Sequence, residues 1–318
     1  MAKKKKQAAT SKLKGAATSR KPKSAAKRAT RAKTSAAGAA ANTASGVGAG
    51  QRIFADVMNT RELSAHQKRD GIVLLPLGCF EMHNVHMGMS TDTFLVEAAC
   101  RVLAPEWKAV IYPPIHYCYP GASTPWPGTV SVTPRETIDY VIAIMNAILE
   151  NGVRRLVLVS LHGPNAAMIQ MALREVFETT GEIAVHHSPD YGEFCRRVQE
   201  EFGQPHGEAA MLLASLYMCG RHGEFDPSAT KAQTLEGPAY PFKSAWNLRS
   251  HGVNLPYYFV KPNNHVGRYP GLTVDDAPRL AEIYTEVILE KAKGLPQAYE
   301  KYQKDMWKAM DDAPWDKV

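Results

Sequence analysis

The chain has 318 residues, 45% of them hydrophobic, enough for one large α/β domain or two small ones; no apolar run reaches the roughly 20 residues that a membrane-spanning helix needs. Five cysteines, at 79, 100, 118, 195 and 219, follow no CxxC pattern, which argues against a zinc ribbon or disulfide frame and for a reducing, cytoplasmic setting. The net charge of +7 averages two polymers: residues 1–50 hold 13 of the 38 Lys and Arg and no acid, so the remainder carries 25 basic against 31 acidic side chains, a net of −6.

Residues 1–50 are mostly Ala, Lys, Ser, Thr and Gly, with no aromatic residue. Such a segment buries too little apolar surface to offset its ordering entropy and is expected to be a disordered basic tail. Its spaced Lys and Arg would give weak, salt-sensitive contact with nucleic acid or another polyanion. Residues 51–318 read as one globular domain. IVLLPLG (72–78), AVIYPPI (109–115), RRLVLVSL (154–161) and IAVHHS (183–188) are short apolar runs of the kind buried in parallel sheets. Helical patterns lie between them: 91–104 with Ser90 or Thr91 as N-cap, 134–152 opened by Pro134 and closed by Asn151-Gly152, and 165–181. A last helix, 275–294, is expected on the outside. The alternation predicts an α/β fold, a three-layer α/β/α sandwich around a mostly parallel sheet.

Ligands of parallel sheets bind beyond the carboxyl ends of the strands, and the sequence puts polar residues there three times. EMHNVHMGMSTD (81–92) follows the first strand, HGPN (162–165) follows LVLVSL, and PHGE (205–208) opens the helical stretch AAMLLASLYM. In extended chain Glu81 and His83 leave the same face. Asp92 falls in the first turn of the next helix, where free N–H groups favour a carboxylate. His162 adds a nitrogen at a strand tip. Carboxylates mixed with imidazoles suit one or two divalent ions per subunit, Zn, Mn or Fe.

These segments resemble the creatininase family (creatinine amidohydrolases and relatives). LPLGCFEMHNVHMGMSTD (75–92) matches its strand-end signature, SLHGPN (160–165) its His-Gly turn, HGEAAMLL (206–213) a later helix start, WPGTVSV (126–132) the stretch between, and GRYPGLTVDDAPRLAEI (267–283) loosely its C-terminal segment. The resemblance implies a small-molecule substrate, a hexameric homo-oligomer, and hydrolysis of amide or cyclic amide C–N bonds by a metal-activated water. It implies Glu81 and His162 as ligands of one metal, His83 of another, Asp92 as the bridge, and His206 as proton donor to the leaving group. Glu208 either serves the second metal or orients His206. Asn84-Val85 stand in place of a Gly-Pro pair, Gly88 in place of a Pro, and Pro164 where creatininase proper carries a Glu. This marks a divergent relative.

Two residues are expected at the substrate: the Gly163 amide, helping to hold an oxyanion, and Trp126, walling the pocket. His86 is expected to support a ligand rather than be one, and His186-His187 to hydrogen-bond at the rim. Asn263, Asn264 and His265 fit a lid or a subunit contact. Met87, Met89, Met168, Met171 and Met211 read as core or pocket filler. Two other readings remain open: a ring-opening C–C hydrolase of a diketo-inositol, and a non-enzymatic scaffold whose tail binds nucleic acid.

Overall fold

The computed structural model describes residues 52–84, 87–203, 207–225, 242–261, 265 and 271–317. The tail 1–50, His86, His206, Asn263 and Asn264 lie outside the described residues.

The four apolar runs form strands β1 (Ile72–Pro76), β2 (Val110–Ile111), β3 (Arg155–Val159) and β4 (Val185–His187). They pair in parallel in the order β2-β1-β3-β4, with Leu74 opposite Ile111 and Val157, and Val157 opposite Val185. The expected second strand is cut to two residues because Pro113 and Pro114 have no N–H to give a ladder. Its free edge is covered by the preceding chain, where Phe54 bridges Ile111.

Strand alternation builds two cores. Ile72, Leu74, Val157 and Val159 face one layer, which contains α2 (Thr91–Trp107), α6 (Gly207–Met218) and α8 (Ala277–Ala292). Val73, Leu75, Leu156 and Leu158 face the other, with α3 (Pro134–Glu150) and α4 (Gly163–Thr180). The fold is therefore a three-layer α/β/α sandwich, as the alternating elements imply.

The start of α3 is set by a recognisable cap. Thr133 and Glu136 form a capping box ahead of α3, with Pro134 at its first position. By contrast α2 runs past its expected end at Ala104, through Pro105 to Trp107, and stops where Lys108 turns left-handed at φ 52°.

The placement of α8 corrects the sequence expectation. Rather than packing outside, it is a core helix: Leu280, Ile283, Tyr284, Val287 and Ile288 are buried, and the Tyr284 hydroxyl donates to the Leu95 carbonyl at 3.0 Å. Met171 is likewise exposed on α4 instead of filling a core, while Met87 and Met211 are buried.

Four helices have no counterpart in the expected elements: α1 (Thr60–Gln67), α5 (Tyr191–Phe202), α7 (Lys243–Ser250) and α9 (Leu295–Asp311). The last of these closes the amino ends of β3 and β4. Tyr299 donates to the Ile183 carbonyl at 2.6 Å, Gln303 to the Arg154 carbonyl at 2.8 Å, and the Trp307 indole to the Gly181 carbonyl at 3.1 Å. That end of the sheet is occupied by structure. The carboxyl end is left for chemistry.

His187, at the end of β4, packs edge-on against Trp107 with ring centroids 6.0 Å apart. Burial, with smaller contributions from His186 and Lys291, pushes its pKa down to about 4. The folded state therefore keeps the ring neutral while the unfolded chain, with a pKa of about 6.5, takes up a proton. Stability falls as pH drops from about 6.5 toward 4, by up to about 1.4 kcal/mol per pH unit from this group. Urea unfolding of His187→Gln across that window should show a shallower loss than wild type; parallel curves would contradict it.

Candidate metal centre

Beyond the carboxyl ends of β1 and β3 the chain makes a tightly stitched rim. Gly78 follows β1 and its carbonyl accepts from Asn165 Nδ2 at 3.1 Å and from the Cys118 thiol at 3.0 Å. Asn165 also donates to Ser160 Oγ at 3.1 Å, and Ser160 donates to the Leu77 carbonyl at 2.8 Å. The exits of β1 and β3 are thus locked together, and the loop starting at Cys79 is held against α2 and α4.

On this frame Glu81, His83, Asp92 and His162 are all buried and point into one another. His162 Nδ1 lies 3.2 Å from both Glu81 Oε1 and Asp92 Oδ2. His83 Nε2 lies 3.6 Å from Asp92 Oδ1, 3.6 Å from Glu208 Oε1 and 3.9 Å from Glu81 Oε1. Asp92 sits in the first turn of α2 and offers a different oxygen to each ring. Glu81 offers one oxygen to both, since its other oxygen accepts from the buried Ser123 hydroxyl. Glu208, in the first turn of α6, reaches the centre beside His83.

Backbone carbonyls fix the tautomers of both rings. His83 Nδ1 bonds the Glu81 carbonyl at 3.1 Å and His162 Nε2 bonds the Tyr119 carbonyl at 2.9 Å. A carbonyl only accepts, so those nitrogens carry the protons and the opposite nitrogens face the carboxylates. In a neutral ring that nitrogen presents a lone pair to negative oxygens, an arrangement that calls for either a second ring proton or a metal cation between them. His83 Nε2 and Asp92 Oδ2 have no hydrogen-bond partner among the described residues. Burial disfavours the ionised forms of all three groups, yet mutual attraction prevails. Asp92 is pushed far below the carboxylate range by His162 and His83. His83 is held well above its ordinary value by Asp92 and Glu208, and His162 by Asp92 and Glu81. Two buried carboxylates, two imidazoles and a third carboxylate therefore form a donor set that fits divalent metal ions.

Three neighbours escaped the sequence reading, and a fourth, His265, was expected at a lid or a subunit contact rather than at the centre. Ser123 orients Glu81. Cys79 lies within the same donor group as Glu81, Asp92 and His162; its partner thiol Cys118, its burial and the nearby carboxylates raise its pKa and keep it a thiol. Strand alternation, 79-81-83, could have found it. Asn165 locks the rim. His265 stands with its Nε2 3.7 Å from Glu81 Oε1, and no local spacing signals it.

Other expected site residues fall less directly. Gly163 is the first residue of α4 and is exposed. Trp126 is half-buried, and its indole donates to the Phe259 carbonyl at 2.9 Å. Asn84, in place of a signature Gly-Pro pair, adopts φ 61°, a left-handed conformation that asparagine tolerates. His186 and His187 leave their Nε2 atoms without hydrogen-bond partners among the described residues.

A profile of the creatininase family, described as creatinine amidohydrolase, matches residues 56–239. The chain belongs to the creatininase family. Among its relatives, the creatinine amidohydrolase of Pseudomonas putida is 33% identical over 116 residues, covering 34% of this chain and 45% of the relative. The 3-dehydro-scyllo-inosose hydrolase of Thermotoga maritima is 27% identical over 112 residues, covering 35% and 36%. The chain thus matches less than half the length of either curated relative. A solved manganese creatininase superposes with a TM-score of 0.56 over 79% of this chain and 98% of its own, at 23% identity. At that identity the likeness speaks for the fold. As a creatininase-family member with Pro164 at the start of α4, the chain is a divergent one. No helix among the described residues is long and apolar enough to cross a membrane.

Proposed function

We propose that residues 51–318 form a metal-dependent hydrolase that adds water across an amide or cyclic amide C–N bond of a small polar molecule. The observation that carries this reading is the convergence of Glu81, His83, Asp92, His162 and Glu208, with tautomers fixed so that the ring nitrogens turn toward the carboxylates. Glu81, Asp92 and His162 would hold one divalent ion, and His83, Asp92 and Glu208 a second. When bound, such ions bring the pKa of water toward neutrality and polarise a carbonyl.

The chain's own residues then divide the work. Asp92, one oxygen toward each ring, spaces the two halves of the centre. Ser123 stops Glu81 from rotating. Glu208 is the most open of the three carboxylates, with its side chain 21% exposed against 1% for Glu81 and 3% for Asp92, so the substrate approaches from its side. The Gly163 amide, the first N–H of α4, would face the oxyanion that develops at the carbonyl. His206 would pass a proton to the departing nitrogen while the water oxygen stays on the acyl carbon, a role that suits imidazole near neutral pH. Trp126, tied to Phe259, would wall the approach.

The likeness to an inosose hydrolase favours a second reading, ring-opening cleavage of a C–C bond in a diketo-cyclitol. A panel of cyclic amides, formamides and diketo-cyclitols, incubated with Zn- or Mn-loaded protein and read by mass spectrometry for gain of one water, separates the two. Cyclic amides are the expected substrates. Turnover confined to the cyclitols transfers the assignment to C–C hydrolysis.

A further inference from the structure

The centre has a third imidazole that neither the spacing of the sequence nor the resemblance assigns to it. His265 comes from the chain after α7, far from the other donors in sequence, yet four contacts fix its ring. Its Nδ1 bonds the Met82 carbonyl, between the two donors Glu81 and His83. One face stacks on Phe259, with centroids 4.8 Å apart and planes 18° apart. The ring meets that of His83 at 4.5 Å, and its Nε2 stands 3.7 Å from Glu81 Oε1. Phe259 is itself anchored on the opposite rim: its N–H donates to the Ala122 carbonyl at 3.0 Å and its carbonyl accepts from the Trp126 indole at 2.9 Å.

The chemistry of this ring repeats that of His83 and His162. A backbone carbonyl takes the N–H at one nitrogen, so in the neutral ring the other presents its lone pair to a buried carboxylate. Glu81, His83 and His265 bring one ligand atom each to within 4.8 Å of one another. His83 Nε2, nine-tenths buried and more, has no hydrogen-bond partner among the described residues and belongs to this group. Two imidazoles and one carboxylate are a donor combination that zinc and other divalent first-row ions take readily.

We infer that His265 is a second imidazole ligand of the ion that takes His83, so that this metal position is completed by a ring held on Phe259 and the Met82 carbonyl. The inference rests on the metal centre proposed above and extends it to a residue outside the matched signature segments. It also gives the stacked Phe259 and the Trp126 bond a purpose: they aim a donor that arrives from a distant part of the chain.

The test uses the full-length protein and zinc alone, with affinity read by competition against a chromophoric chelator. In His265→Asn the side-chain amide can keep the bond to the Met82 carbonyl but has no atom at the Nε2 position, so positioning and ligation are separated. The weaker of the two zinc affinities should fall about 10- to 100-fold in His265→Asn, with the circular dichroism spectrum unchanged. Wild-type zinc binding in His265→Asn, beside weakened binding in Asp92→Ala, overturns the inference and leaves the centre standing. Unchanged binding in both variants overturns the centre as well. Anomalous scattering from zinc-loaded wild-type crystals decides the matter without any variant. His265 Nε2 is expected at about 2.0–2.1 Å from an ion; a ring more than about 3 Å from every ion rules ligation out.

Discussion

Asp92→Ala is expected to bind zinc at least about a hundredfold more weakly than wild type and to lose hydrolysis with it. Removal of residues that merely support a metal ligand costs about 10- to 100-fold in affinity, and Asp92 stands inside the donor set. It sends one oxygen to His83 at 3.6 Å and the other to His162 at 3.2 Å. Glu81 cannot substitute, because Ser123 engages its second oxygen. The variant also strips two buried imidazoles of a carboxylate that holds their pKa values up. The consequence reaches stability: saturating zinc raises wild-type stability by about 4 kcal/mol at a thousand times the dissociation constant, and this gain should vanish in Asp92→Ala. Asp92→Asn preserves the shape and removes the charge, so it should fail almost as badly. Chelator competition and thermal unfolding with and without zinc provide the check. A wild-type zinc affinity in Asp92→Ala would falsify the metal centre.

The residues that were legible in the sequence are those whose placement follows from local geometry. Glu81 and His83 are two apart in extended chain, and Asp92 opens a helix whose first turn follows a predictable pattern. Strands buried on both faces read as unbroken apolar runs, which is why β1 and β3 stand where IVLLPLG and RRLVLVSL lie. Polar helices were invisible for the same reason. In α9 only Tyr299 and Gln303 are buried, and in α5 only Phe194 and Val198; both helices are amphipathic, but their charged residues dilute the apolar stripe and no long apolar run marks them in the sequence. For α8 the periodicity was plain but its partner was not: spacing identifies an apolar face, never what covers it. His265 lies at the far end of this scale. Its place at the centre depends on a carbonyl at Met82 and a ring at Phe259, contacts between segments that no local pattern relates. Glu208 was ambiguous because its reach depends on where α6 begins relative to α2. The Cα trace, not the spacing, brings it to 3.6 Å from His83.

Gly78→Ala should disable the centre without touching a single donor atom. A Cβ on Gly78 would lie 2.2 Å from Thr93 Oγ1 and 2.6 Å from both the Thr93 Cα and N. Two of those are backbone atoms, so no rotamer relieves the clash, and the first turn of α2 must move. That turn carries Asp92. Overpacking of this kind costs about 1–3 kcal/mol of stability, and a displacement of about 1 Å at a reacting group costs on the order of a hundredfold in rate. The Gly78 carbonyl adds to the damage, because Asn165 and Cys118 both donate to it and tie β1 to the rest of the rim. Thr93→Ala added to Gly78→Ala removes the hydroxyl but not the backbone clash, so it should restore little. Gly88→Ala is the matched control: a Cβ there meets nothing within 4 Å, and zinc affinity should hold. Denaturant unfolding and zinc competition on these variants measure the two effects separately. If Gly78→Ala matches wild type in both, the close passage of β1 against α2 is not what positions Asp92.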